Sequence, residues 1–158
     1  MILITSPDCY IEPAEPRNTT LFLAGGISGT LDWQAEVVDA LKNTSITIFN
    51  PRRVGPFDLT NEKESDQQIT WEYNHLNIAD YILFWFPKET LCPIALFELG
   101  DFWRKSCIIG TDPQYNRRYD IVKQMSLRNP HYCIFDSLGA VINNTIQITK
   151  NDHERLLK

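Results

Sequence analysis

A chain of 158 residues fits one domain. At that length folding buries about 70% of the surface exposed by the unfolded chain, so no disulfide or metal staple is required. Apolar residues make up 43% and charged residues 22%, which excludes disorder as the dominant state. The formal net charge of -5 argues against a nucleic-acid partner, and no run approaches the roughly 20 apolar residues of a membrane span.

Residues 1–5, Met-Ile-Leu-Ile-Thr, lack a basic leader region and are soon followed by acidic and proline residues, so no signal peptide is expected. The same run is a candidate edge strand. Residues 6–18, with Pro7, Pro13 and Pro16, read as a long loop, as do residues 51–65, with Pro51, Gly55, Pro56 and mixed charges. Between them, residues 20–24 form a short apolar run that stops at Gly25-Gly26 and predict a buried strand. Residues 31–42 place Trp33, Val37, Ala40 and Leu41 on one face of a helix capped by Asp32 or Thr30. Residues 45–49 are rich in β-branched side chains and predict a second strand.

A helix over residues 66–77 carries Ile69, Tyr73 and Leu76 at helical spacing. The continuous apolar run 81–86 fits a central parallel strand covered on both faces. Pro93 suits the first turn of a helix running to Lys105. Strands follow at 107–110 and 131–135, separated by a helix over 117–127, and Asp136 caps a last helix to about Ile148 ahead of a polar tail. This strict alternation predicts a single α/β domain, a parallel sheet with helices on both faces. In such folds ligands bind beyond the carboxyl ends of the strands.

Several residues near that edge invite chemistry. The turn Gly25-Gly26-Ile27-Ser28-Gly29-Thr30 lets backbone approach a ligand, or simply turns the chain; its spacing matches neither a Walker loop nor a dinucleotide fingerprint. Arg52 and Arg53 follow the second strand and suit a phosphate, although alone a solvated pair is the blander reading. Glu98 has Ile94 and Phe102 as its i−4 and i+4 neighbours, and a carboxylate in apolar surroundings is costly to ionise and rarely idle. Glu72 reaches the same edge only if its helix leans over it. Asp80 stands at the opposite end of the central strand and reads as structural. The tryptophans are most simply core, with Trp33 and Trp85 close enough to the edge to stack on a planar ligand. His75, His131 and His153 lack metal spacing. Cys9, Cys92, Cys107 and Cys133 form no C-x-x-C pair and are read as reduced thiols of a cytoplasmic protein.

Together, Leu23-Ala24-Gly25-Gly26, Trp33-Gln34, Ala79-Asp80 and Glu98-Leu99-Gly100 resemble, in order and spacing, the nucleoside 2-deoxyribosyltransferase superfamily, in particular its "nucleoside 2-deoxyribosyltransferase-like" branch, over residues 20–142. The resemblance implies a flavodoxin-like three-layer sandwich with a five-stranded parallel sheet, and a homo-oligomer. It implies that Glu98 attacks the anomeric carbon of a 2'-deoxynucleoside, releasing the base and leaving a deoxyribosyl-enzyme that a second base or water resolves. No metal or other cofactor is implied. Glu72 falls at the place of a second family acid, changed from aspartate. The expected site therefore comprises Glu98 and Glu72 as catalytic residues, with Gly25, Gly26, Ser28, Gln34, Arg53 and Glu89 binding the nucleoside or nucleotide.

The sequence also departs from the family pattern. Cys92 occupies the position of the usual base-contacting acid, and Glu89 substitutes for it only after a loop shift. The aromatic that often follows the first strand and the C-terminal carboxylate are not evident. Two alternatives follow: a nucleoside 5'-monophosphate hydrolase, with Arg52, Arg53 and the Ser28-Gly29 turn on the phosphate, and a nucleotide-binding module without catalysis.

Overall fold

The computed structural model describes residues 1–13, 17–55, 58 and 60–156, with side chains up to Asp152. Within the two expected loops, Pro16 and Pro56 lie outside the described residues. The described residues form six strands and five helices in the order β1 (Ile2–Thr5), β2 (Thr19–Gly25), α1 (Trp33–Leu41), β3 (Ile46–Asn50), α2 (Glu62–Ile78), β4 (Tyr81–Phe86), α3 (Pro93–Phe102), β5 (Ser106–Thr111), α4 (Arg118–Arg128), β6 (Ile134–Phe135) and α5 (Leu138–Leu156).

The strands make one sheet, ordered β1-β3-β2-β4-β5-β6, and every pairing is parallel. It has six strands where five were expected, because residues 2–5 pair along β3 from Ile2 opposite Thr47 to Thr5 opposite Asn50. At the other edge the expected strand 131–135 contracts to two residues. A turn occupies its start: the His131 amide donates to Asn129 Oδ1 and the Tyr132 amide to the Asn129 carbonyl.

The alternation of β2 divides the core into two layers. Leu21 and Leu23 pack with Trp33, Val37 and Leu41 of α1 and with Val141 of α5. Phe22 and Ala24 face the other way, with Trp71 of α2, Leu99 of α3 and Met125 of α4. The result is a three-layer α/β sandwich of the flavodoxin-like kind. Each fully buried Leu, Ile or Phe contributes about 1.5–3 kcal/mol relative to exposure. The inner strands β2, β3 and β4 are accordingly buried almost throughout.

Local chemistry sets the helix boundaries. Asp32, one of the two expected caps, accepts the Ala35 amide. Helix α2 begins four residues before the expected 66, because Asn61 accepts the amides of Lys63 and Glu64. Its buried face is Gln68, Trp71, His75 and Leu76, whereas Ile69 and Tyr73 are 64% and 60% exposed. The Trp71 and His75 rings stack 3.9 Å apart, and the Trp71 indole donates to the Asp8 carbonyl, so a larger aromatic face turns inward. Helix α3 ends at Phe102, short of Lys105, whose ammonium instead donates to the Leu76, Asn77 and Ala79 carbonyls at the end of α2. Ser137, not Asp136, caps α5 by accepting the Ala140 amide, while Asp136 accepts from Arg118. Helix α5 continues past the expected Ile148 to Leu156, so the start of the expected tail is helical.

Candidate active site

Beyond the carboxyl ends of β2, β3 and β4 lies a cavity of about 540 Å³. Phe22, Ala24 and the glycine turn form one wall, Pro51 and Arg53 another, and α2 and α3 close it with Gln68, Glu72, Cys92 and Glu98. Ile69 and Ile94 stand at its rim, each 64% exposed. A largely apolar concavity with a few convergent polar groups is the usual form of a small-molecule site.

Steric necessity fixes the glycine turn. A Cβ on Gly25 would lie 2.2 Å from the Trp85 carbonyl oxygen and 2.7 Å from the Trp33 ring. One on Gly26 would lie 2.6 Å from Thr90 Cγ2 and 2.9 Å from Cys92 Sγ. The Trp33 indole donates to the Gly26 carbonyl at 2.8 Å and locks the turn onto α1. On the opposite side Cys92 adopts φ 48°, a left-handed turn that delivers the chain into α3 at Pro93. Ala95 and Leu99 then bury the underside of α3, and Glu98 lines the cavity between them.

Glu98 and Glu72 are both only partly exposed. Burial pushes the Glu98 carboxyl up to about 8, and the negative charge of Glu72 adds to the rise. Burial also raises Glu72, but a hydrogen bond from Gln68 and the positive charge of Arg53 oppose it. The two carboxylates therefore titrate as a coupled pair, with Glu98 the more reluctant to ionise.

Six of the eight expected residues line this cavity: Gly25, Gly26, Ser28, Arg53, Glu72 and Glu98. The other two stand outside it. Gln34 is fully buried behind the glycine turn, where its Oε1 accepts Arg52 Nε at 3.0 Å. Arg52 also donates to the Ile27 carbonyl and pairs with Asp32, so it braces the turn from behind and does not line the cavity. Glu89 is exposed on the loop between β4 and α3, and its neighbour Thr90 faces the cavity instead. Trp33 and Trp85, proposed above as stacking partners, are 4% and 7% exposed and pack in the core beneath Gly25. Cys92 lines the cavity as a neutral thiol, pushed up to about 11 by burial.

Sequence patterns did not single out Gln68. It lines the cavity, is 8% exposed, and donates to Glu72 at 2.7 Å. Its spacing of four residues from Glu72 was the available signal. Among the described residues no group of three or more His, Cys, Asp or Glu side chains is placed to hold a metal ion. Nor is any described helix long and apolar enough to cross a membrane.

A six-stranded parallel sheet with two carboxylates in a cavity at its carboxyl edge defines an α/β protein built around a small-molecule pocket. The chain belongs to the nucleoside 2-deoxyribosyltransferase-like family, whose model matches residues 18–115. That span holds β2 to β5, the glycine turn and both carboxylates, and leaves β1, α4, β6 and α5 outside. No curated protein matches the chain.

Proposed function

We propose that this protein cleaves the N-glycosidic bond of 2'-deoxynucleosides and transfers the sugar to a second base. The carrying observation is the Glu72–Glu98 pair, buried together in an apolar-walled cavity at the carboxyl edge of the sheet. A Glu98 oxygen bonds to the anomeric carbon, the carbon–nitrogen bond breaks, and its electron pair leaves with the base. Burial and the charge of Glu72 favour the protonated form of Glu98, and attack requires Glu98 to surrender that proton to the departing base. The departing base needs a proton at the same moment, so the pair supplies both nucleophile and acid. The Glu72 carboxylate favours the positive charge that develops on the sugar, as in retaining glycosidases. A second base reverses the step and releases Glu98.

Arg53 and Ser28 also line the cavity, which supports a second reading, hydrolysis of a nucleoside 5'-monophosphate. The exposed apolar side chains of Tyr73 and Phe97 continue from the rim residues Ile69 and Ile94 on α2 and α3, and support homo-oligomer assembly. Four free cysteines support a cytoplasmic location.

Chromatography of a panel of ribo- and deoxynucleosides and their monophosphates, with and without an acceptor base, tests these readings. Base exchange lost in Glu98→Ala is the expected result. Free base without exchange would favour the hydrolase, and a monophosphate preference abolished by Arg53→Ala would name its substrate. No turnover of any member by the native protein would overturn the catalytic reading in favour of a binding module.

A further inference from the structure

The carboxylate pair is not held symmetrically. Glu72 has a donor, the Gln68 amide, and that amide is itself engaged at every position. Gln68 Nε2 donates to Glu72 at 2.7 Å and to the Pro51 carbonyl at 2.9 Å. Gln68 Oε1 accepts Arg53 Nε at 2.6 Å and the Ser6 hydroxyl at 2.7 Å. A side-chain amide has two N–H donors and two acceptor lone pairs, so all four are in use. Turning it over would set NH₂ against the Arg53 donor and the oxygen against both the Pro51 carbonyl and the Glu72 carboxylate. The orientation is therefore fixed.

We propose that Gln68 is a positioning residue for the reaction: its locked amide joins Ser6 and Arg53 to Glu72 and holds Glu72 as the anionic partner of Glu98. The inference rests on the reading of Glu72 and Glu98 as the reacting pair. A cationic donor on the amide oxygen polarises the amide and strengthens its N–H donors, so the charge of Arg53 acts on Glu72 through Gln68 as well as through space. The ionisable groups lining the cavity are Arg53, Glu72, Cys92 and Glu98 among the described residues. Only Glu72 receives Gln68. Glu98 feels burial and the charge of Glu72, both of which oppose its ionisation.

Ser6 gives β1 a purpose in this arrangement. It is 3% exposed, follows the edge strand directly, and its amide donates to the Asn50 carbonyl at 3.1 Å. It also lies outside the matched residues 18–115, so the outer end of the relay belongs to a part of the chain that the family match does not cover.

The test is a ¹³C NMR titration of the ligand-free protein labelled at glutamate carboxyls, with Glu72 and Glu98 assigned from Glu72→Gln and Glu98→Gln. In Gln68→Met the lower midpoint of the pair should rise by about one pH unit or more, because an ionised carboxylate has lost its donor. Ser6→Ala should move it the same way by less. Where the native protein turns over a nucleoside, Gln68→Met should also lower kcat about tenfold or more while KM stays within about threefold. A folded Gln68→Met whose midpoints match the native protein overturns the proposal. If Gln68→Met fails to fold, Ser6→Ala decides: an upward shift supports the relay, and unchanged midpoints overturn it. Absence of turnover by the native protein would sink the enzymatic reading alone, because the titration needs no substrate.

Discussion

Two carboxylates near opposite ends of β4 show what this fold does with charge. Asp80 precedes the strand and Glu98 lies on the helix after it. Burial raises the cost of ionising both. For Asp80 that cost is outweighed: Arg17 donates two hydrogen bonds at 2.6 and 2.8 Å, and the Thr20 amide and hydroxyl each donate at 2.8 Å, so its carboxyl titrates below the usual range. Glu98 faces the charge of Glu72 and is pushed up to about 8. One end of the sheet satisfies its carboxylate as a clamp, and the other leaves one costly to ionise at the wall of a cavity.

The largest effect that would break this contrast is on turnover. Glu98→Gln keeps the shape of the site and removes the proposed nucleophile, and we expect base release to fall by about a thousandfold or more. Glu72→Gln, which leaves Glu98 in place, should cost less. Steady-state kinetics on both variants checks the order; equal losses would give the two acids equal shares in one step.

The same substitution should stabilise the fold. An acid whose midpoint rises from 4.5 unfolded to about 8 folded binds more protons in the native state between those values. Stability then falls as pH rises through that window and levels off above about 8. Glu98→Gln should remove the part of that fall due to Glu98, and the gain at pH 8 should be on the order of 4 kcal/mol. Thermal or urea unfolding at pH 5 and pH 8 measures it. If Glu98→Gln showed the same change in stability between pH 5 and pH 8 as the native protein, Glu98 would be ionised without cost and its difference from Asp80 would be erased.

Asp80 should behave in the opposite sense. Its depressed midpoint contributes stability above the unfolded carboxylate range that is lost as pH falls through the folded value. Arg17→Ala should cost about 1–2 kcal/mol at neutral pH, a figure discounted from a fully buried pair because both side chains retain some exposure. It should also flatten the acid limb of the stability profile while leaving kcat/KM near the native value. Urea titrations at pH 7 and pH 3 check both parts.

Much of this was legible in the chain, and the exceptions have physical reasons. The short apolar runs 20–24 and 81–86, each stopped by glycine or proline, read as buried strands, and Gly25 at the end of β2 marks where the backbone must pass Trp85 and Trp33. Glu98 was legible because a carboxylate flanked by Ile94 and Phe102 breaks the pattern around it. The buried face of α2 was misread because it depends on polar atoms. Gln68 and His75 look like surface residues in sequence, and only tertiary partners reveal otherwise. The Ser6 hydroxyl donates to Gln68 Oε1, and the Trp71 carbonyl is 2.7 Å from His75 Nδ1. Gln34 misled in the opposite direction: its placement beside the glycine turn is correct, but the side chain reaches back to Arg52.

The smallest expected effect concerns a third glutamate. Glu89 and Glu98 flank the same turn into α3, and the family resemblance assigns Glu98 to the anomeric carbon and Glu89, after a loop shift, to the base. The structure separates them. Glu98 lines the cavity; Glu89 is exposed on the connecting loop, with Thr90 and Cys92 lining the wall beside Gly26. Bringing Glu89 inward would displace Thr90, which a Gly26 Cβ would approach to within 2.6 Å, so little room separates the loop from the glycine turn. Glu89→Ala should therefore leave kcat/KM within about twofold, an effect no larger than a surface change. A loss of tenfold or more would mean that the loop rearranges around a bound nucleoside. Such a rearrangement would bring a carboxylate into the wall that Thr90 and the neutral Cys92 thiol form beside Gly26.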